Sequence, residues 1–324
     1  MRITTFLLVA IVCAALTFLA ARWIGNGYVF FAGYVVLQYI VLATAWNILG
    51  GYCGYVNFGV AAFFALGAYA AVAVGKLVPL PLPVMMLIGG VVSGVLGLAM
   101  GYLTLRLRGA FFSIATLAMA VVAQTLMVNW AFVGGSAGAY SIRPMKTPLL
   151  GIDYIQYLFL LMLGLSVLSV VTARLIERSR LGLGFASIRD DELAAEASGV
   201  PTLRLKLFAT TLSGALMGMA GAPLPLYVTF LDPPSAFSLS YAVNTIAMPL
   251  IGGTGSWPGP VIGAVLIATL QQVATVTISS AVNLLIVGVV LVGFVVAAPN
   301  GILGLMRSGV PRERRGARRA VART

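Results

Sequence analysis

The sequence predicts an all-α fold, a polytopic transmembrane helical bundle of about 8–10 spans, and three observations predict it. Of 324 residues, 60% are hydrophobic and only 9% are charged. A soluble domain carries about a quarter charged residues, so these charges cannot cover a water-facing surface. The charge-free stretches 3–21, 23–75, 77–105, 109–142, 154–173, 207–231 and 233–306 are each about as long as a bilayer-crossing helix, or longer. The basic residues between them fall unevenly on alternate sides, as the positive-inside rule requires.

Residues 3–21 read as an uncleaved first span. The positive start is only Arg2, and Leu19-Ala20-Ala21 lacks the small residue three places before a cleavage site. The stretch 23–75 holds two spans, split near Gly50–Gly54. The next four stretches hold one each, and 233–306 holds three, split near Gly252–Gly259 and Thr277–Ser280, for about ten in all. With the N-terminus in the cytoplasm, only Arg22, Lys76, Arg143 and Lys146 lie outside. An odd number of spans in the last stretch keeps the C-terminus inside as well. Residues 1–306 therefore form the membrane domain, and 307–324 a disordered basic tail with Arg307, Arg312, Arg314, Arg315, Arg318, Arg319 and Arg323. The net charge of +12 is concentrated there, after an apolar segment, which points to anionic membrane lipid rather than to nucleic acid.

The segment 239–251 is short, about 20 Å as a helix, and Pro249 interrupts its end. Gly252-Gly253-Thr254-Gly255-Ser256-Trp257-Pro258-Gly259-Pro260 cannot be regular helix. It is either a plain cytoplasmic turn or a broken helix near 249–260. Unwound backbone at membrane depth survives only against protein or a water-lined cavity, and transporters hold substrate at such breaks. Gly50-Gly51-Tyr52-Cys53-Gly54 through Gly67-Ala68 shares its glycine spacing with 252–264. Either an internal repeat or helix packing accounts for that.

Much chemistry is absent from the sequence. Histidine is missing, and Cys13 and Cys53 lie in apolar segments with no zinc-site spacing. Gly75-Lys76 is followed by Leu77, and Gly253 and Gly255 lead to Pro258, so neither familiar phosphate loop is present. No cofactor is expected on this chain, and an enzyme is disfavoured. Gly-Tyr-Cys-Gly-Tyr only faintly echoes a potassium filter. Every acidic residue sits at a loop or span edge, which counts against an ion-coupled carrier with a buried carboxylate.

The informative hydrophilic segment is 174–206. Ser187-Ile188-Arg189-Asp190-Asp191-Glu192 places acids where a helix start favours them. Leu193, Ala194, Ala197 and Val200 follow at helical spacing, and Gly199 with Pro201 ends the run. The expectation is a helix of about two turns near 190–200. Alone it would be unstable, so it packs on its own protein or on a partner that its small-residue face lets come close.

Here a resemblance enters. Asn47, Gly50-Gly51-Tyr52, Gly54-Tyr55-Val56-Asn57-Phe58-Gly59, Phe63 and Gly67-Ala68-Tyr69 resemble the opening signature of branched-chain amino acid ABC transporter permeases. Leu105–Phe112 with Thr116-Leu117 resembles their next block, and Gly134–Gly138 their outer-loop glycine motif. Ala186–Glu192, Ala194-Ala195, Ala197 and Gly199-Val200 resemble their coupling segment, and Asp232-Pro233, Phe237 and Ile251–Ala264 complete the match. The resemblance implies a transport subunit of the bacterial inner membrane. A second, homologous permease subunit, two cytoplasmic ATPase subunits and a periplasmic solute-binding protein would complete it. It implies that Arg189, Asp190, Asp191, Glu192, Ala194, Ala195 and Gly199 couple the chain to an ATPase. Leu193 stands where the general importer motif has glutamate, with Glu192 one place early.

The cargo expected is a small zwitterion, foremost a branched-chain amino acid; similar permeases take urea or short amides. The alternative is a stand-alone secondary carrier. Asn47, Asn57, Gln124 and Asn244, uncharged amides within or beside apolar spans, are the candidate passage residues with Gly252, Gly253 and Gly255. For each amide the competing reading is a bond to a neighbouring helix.

Overall fold

The computed structural model describes residues 3–104, 107, 109–143, 152–277, 288–289, 292–293 and 301–308. In chain order the helices are α1 (Ile3–Ile24), α2 (Gly27–Asn47), α3 (Val60–Leu77), α4 (Leu82–Thr104), α5 (Ala110–Asn129), α6 (Tyr154–Glu177), α7 (Arg180–Asp190), α8 (Glu192–Ala197), α9 (Thr202–Gly221), α10 (Leu224–Val228), α11 (Pro233–Ala236), α12 (Leu239–Gly252) and α13 (Pro258–Thr277), followed by Gly301–Ser308. Two two-residue strands, β1 (Ala139–Tyr140) and β2 (Phe230–Leu231), pair antiparallel. Apart from that pairing the described chain follows the all-α expectation.

Eight of the described helices are long and apolar enough to cross a membrane: α1, α2 with the turn that follows it, α3, α4, α5, α6, the run Thr202–Val228, and α13. They coincide with eight of the ten spans read from the sequence. The ninth, α12, has 14 residues, too few for a full crossing. The tenth, over 281–306, lies mostly outside the described residues, as do Arg106, Arg108, Lys146 and the tail beyond Ser308.

Apolar composition alone does not say which helices sit centrally, because lipid is as apolar as leucine; close packing does. Helix α1 buries only Phe6 and Ala21, so it lies at the bundle edge. Helices α2 and α9 are mostly buried. The tightest pairing is α4 with α9, through Gly89, Gly90, Gly94 and Gly97 on α4. A Cβ on Gly97 would sit 2.8 Å from the Thr210 carbonyl oxygen, and one on Gly90 2.5 Å from Met219 Cγ. Glycine is what lets these backbones touch. Ser93 of α4 also donates to the Phe63 carbonyl of α3 at 2.7 Å, tying a third helix to the pair.

The two ends of the bundle differ. At one, β1 pairs with β2, and Lys76 Nζ donates to the Phe132 carbonyl at 2.9 Å. Gly134, Gly135 and Gly138 take positive φ there, which is why that loop is written in glycine. At the other end lie α7, α8 and the two interrupted segments after α2 and α12.

Candidate coupling and translocation site

Helix α2 does not stop at Asn47. It widens into one π turn, Ile48–Tyr52, then unwinds to Gly59 before α3 begins. Gly54 has φ +83°, a value that favours glycine. The freed backbone is paired locally: Tyr55 N donates to the Leu49 carbonyl at 3.1 Å, and Phe58 N to Thr116 Oγ1 at 3.0 Å. Trp46 Nε1 donates to the Asn57 carbonyl at 2.9 Å, and Asn57 Oδ1 accepts from Gly59 N at 2.7 Å.

The second interruption follows Pro249, the proline inside α12. Gly253 and Gly255 take φ values of +116° and +75°, and Gly253 N closes the helix on the Pro249 carbonyl at 2.8 Å. The two interruptions meet. Asn47 Nδ2 donates to the Ser256 carbonyl at 3.2 Å, and a Cβ on Gly51 would lie 3.1 Å from Gly255 N. Glu177 Oε2, at the end of α6, accepts from Trp257 N at 2.8 Å and from the Tyr52 hydroxyl at 3.5 Å. The 252–258 segment is thus packed on protein, with Ser256 only 7% exposed.

The connecting loop is built on the same end. Helix α7 is capped by Ser179 Oγ, which accepts from Leu181 N at 3.1 Å. Where the sequence suggested that Ser187–Glu192 begins a helix, the structure ends α7 at Asp190 and starts α8 at Glu192. The reason is Asp191: its extended backbone at φ −159° breaks the helix, and its carboxylate then caps α8 by accepting from Ala194 N at 3.1 Å. Gly199, at φ +83°, closes α8. Its N–H bonds the Glu196 carbonyl at 2.9 Å, and Val200 N bonds the Ala195 carbonyl at 3.0 Å.

Glu192 explains how so short a helix is held. Its carboxylate lies 2.6 Å from Lys206 Nζ and also accepts from the Tyr55 hydroxyl, to which Lys206 donates at 3.2 Å. Lys206 is only 3% exposed, so the ammonium depends on these partners for compensation. Arg189 reaches the other way, donating through Nη1 to the Gly51 carbonyl at 3.2 Å. Its guanidinium also lies 3.7 Å from the exposed Asp190 carboxylate. Ala195 faces the bundle, whereas Leu193, Ala194, Ala197 and Gly199 are exposed. A cavity of about 410 Å³ opens beside this loop, lined by Cys53–Val56, Gly109, Ala110, Ser113 and Ile188, Arg189 and Glu192. Burial pushes the Cys53 thiol there up to about 12, so it is no nucleophile at neutral pH.

The candidate passage residues separate into groups. Asn47 joins Gly51, Gly252, Gly253 and Gly255 where the two interruptions meet. Asn57 stands at the entry to α3 beside α5. Both amides are buried, and Asn47 Oδ1 and Asn57 Nδ2 have no hydrogen-bond partner among the described residues. Asn244 belongs to a second layer: it donates to the Tyr39 hydroxyl at 3.2 Å and accepts from Gln271 Nε2 at 3.1 Å. Gln124 stands apart, half-buried on α5. Sequence reasoning missed Tyr55, Glu177 and Gln271 as parts of this region. Lys206 entered it only as the end of the hydrophilic segment 174–206.

Comparison with known proteins follows the same lines. Residues 28–295 match the family described as branched-chain amino acid transport system / permease component. The high-affinity branched-chain amino acid transport system permease protein LivM of Salmonella typhimurium is 26% identical over 321 residues, covering 90% of this chain and 74% of that protein. LivM of Escherichia coli gives the same identity and coverage. The probable branched-chain amino acid transport permease protein LivH of Methanocaldococcus jannaschii is 24% identical over 77% of this chain and 83% of its own. No solved structure matches. The match over most of the chain, on a bundle of apolar helices with paired interruptions at one end, shows that this chain belongs to the branched-chain amino acid transport permease family.

Proposed function

We propose that the chain forms the translocation pathway of a binding-protein-dependent ABC importer for a branched-chain amino acid, in the bacterial inner membrane with both termini in the cytoplasm. A second, homologous permease subunit, two ATPase subunits and a periplasmic binding protein complete the importer. The observation that carries the reading is the junction at one end of the bundle. There α7 and α8 are pinned by Glu192–Lys206–Tyr55 and by Arg189–Gly51 to the unwound segment after α2, which itself touches the segment after α12. A push on the exposed side of α8 is therefore delivered to both interruptions.

The side chains there suit a zwitterion. Among the described residues, Asn47 Oδ1 and Asn57 Nδ2 are the buried amide atoms left without a partner, and they can meet an ammonium and a carboxylate without a buried counter-charge. The chain takes no part in ATP chemistry; hydrolysis occurs on the ATPases and reaches this chain as motion.

The test is uptake by proteoliposomes carrying the chain with its partner subunits. Labelled leucine should enter only with ATP and all subunits present, and excess isoleucine or valine should suppress it. Uptake by the chain alone on a proton or sodium gradient would establish a secondary carrier instead. Suppression by urea or short amides, with none by valine, would reassign the cargo within the family.

A further inference from the structure

At the α7 end of the bundle, a cleft of about 230 Å³ lies between the start of α1 and the end of α6, lined by Ile3, Phe6, Val171, Arg174, Leu175, Arg178 and Ser179. Arg174 is its unusual member. The residue is 6% exposed, and no carboxylate pairs with it among the described residues. Its guanidinium lies 3.8 Å from the Phe6 ring centroid and 5.4 Å from that of Trp257. Its Nε has no hydrogen-bond partner among the described residues. Glu177, one turn on, turns Oε2 to Trp257 N and the Tyr52 hydroxyl and makes no ion pair with Arg174.

Cation–π contacts compensate a buried guanidinium only in part, and an unmatched buried cation is costly. An anion in the cleft would supply what is missing. We propose that this cleft is a binding site for the phosphate of an anionic phospholipid headgroup. Arg174 and Arg178 meet the phosphate, and the acyl chain runs out past Ile3, Val171 and Leu175.

Two features favour a lipid over a free anion. The cleft walls are apolar apart from the arginines and Ser179, with Ile3 53% and Leu175 44% exposed. The cleft also sits where an apolar span ends in arginines, the level at which phospholipid headgroups lie. Basic pockets between membrane helices bind such headgroups. A bound lipid would bear on transport, because the Arg174 guanidinium lies within cation–π range of Trp257, whose backbone N–H is held by Glu177 in the interrupted segment.

The test uses the full chain in detergent, titrated separately with phosphatidylglycerol, phosphatidylcholine of the same acyl chains, and inorganic phosphate, with bound lipid counted by native mass spectrometry. Leu175→Trp fills the apolar wall without removing charge, and Arg178→Gln removes the exposed cation; the arginine tail is common to every arm. The expected result is one phosphatidylglycerol retained over phosphatidylcholine, with its affinity reduced roughly tenfold in Arg178→Gln, as for loss of one charge-assisted contact, and reduced in Leu175→Trp because the indole occupies the acyl-chain wall. Equal retention of the two lipids, or unchanged retention in both variants, overturns the site. Displacement of phosphatidylglycerol by millimolar inorganic phosphate overturns the lipid assignment.

Discussion

Glu192→Gln should release α8 from the bundle. The wild-type carboxylate lies 2.6 Å from Lys206 Nζ, with relative side-chain exposures of 12% and 3%. Removing one partner of a buried ion pair costs about 3–5 kcal/mol; Glu192 is partly wetted, so the lower end applies, about 3 kcal/mol. That is a factor of roughly 10² in the equilibrium between docked and released helix. A six-residue helix has almost no stability of its own, so release means melting. Hydrogen exchange of the amides from Ala194 to Val200 should therefore quicken by that factor in Glu192→Gln, while amides in the α4–α9 interface keep their protection. Uptake should fall, with ATP hydrolysis by the assembled importer persisting. Adding Lys206→Met removes the buried ammonium that has lost its carboxylate and should restore most of the protection. Unchanged exchange and uptake in Glu192→Gln would refute the anchoring role and the magnitude with it.

Three further outcomes are expected. Gly97→Val, which drives a side chain into the Thr210 carbonyl, should cost about 1–3 kcal/mol by overpacking and lower the amount of folded protein recovered from the membrane, as read by fluorescence-detected gel filtration. Asn244→Ala orphans Tyr39 and Gln271 at roughly 0.6–1.7 kcal/mol per lost bond and should alter uptake, whereas Gln124→Ala should leave it near wild type. Gly199→Arg should lower uptake and ATPase co-purification; it also forces a side chain into φ +83°, at about 1–2 kcal/mol, so the exposed Leu193→Arg, free of that strain, should weaken co-purification alike.

Charge spacing alone located eight crossing helices, because a charge at the bilayer centre is expensive and its absence marks a span. The glycines after Pro249 marked the non-helical stretch between α12 and α13 for an equally local reason, although the helix itself runs through Pro249 to Gly252. Helix order from edge to centre was not legible: α1 and α2 are both apolar throughout, and only packing distinguishes a lipid-facing helix from a central one. The helix expected near 190–200 forms as the shorter α8, Glu192–Ala197, because Asp190 still belongs to α7 while Asp191 is extended, a difference that two adjacent aspartates do not show in sequence. Glu192, Lys206 and Tyr55 could not be joined from the sequence, because a lysine at the edge of a hydrophilic loop reads as solvated until the fold buries it. Arg174 was hidden in the same way, as one of several arginines ending a span. The pairing of the two glycine-rich segments had a trace in their shared spacing; that they touch, through Asn47 and Ser256, is a property of the fold.

The central claim is that the exposed side of α8 is where an ATPase seats. Its most direct measurement is site-specific photo-crosslinking in the assembled importer, with the reactive group at Leu193 and, for comparison, at Leu98 on the exposed face of α4; both side chains are about half exposed or more. The account predicts that Leu193 captures the co-expressed ATPase, in a yield that changes between ATP-bound and nucleotide-free states, and that Leu98 captures none. An importer that transports normally while Leu193 captures no ATPase in either state would contradict it.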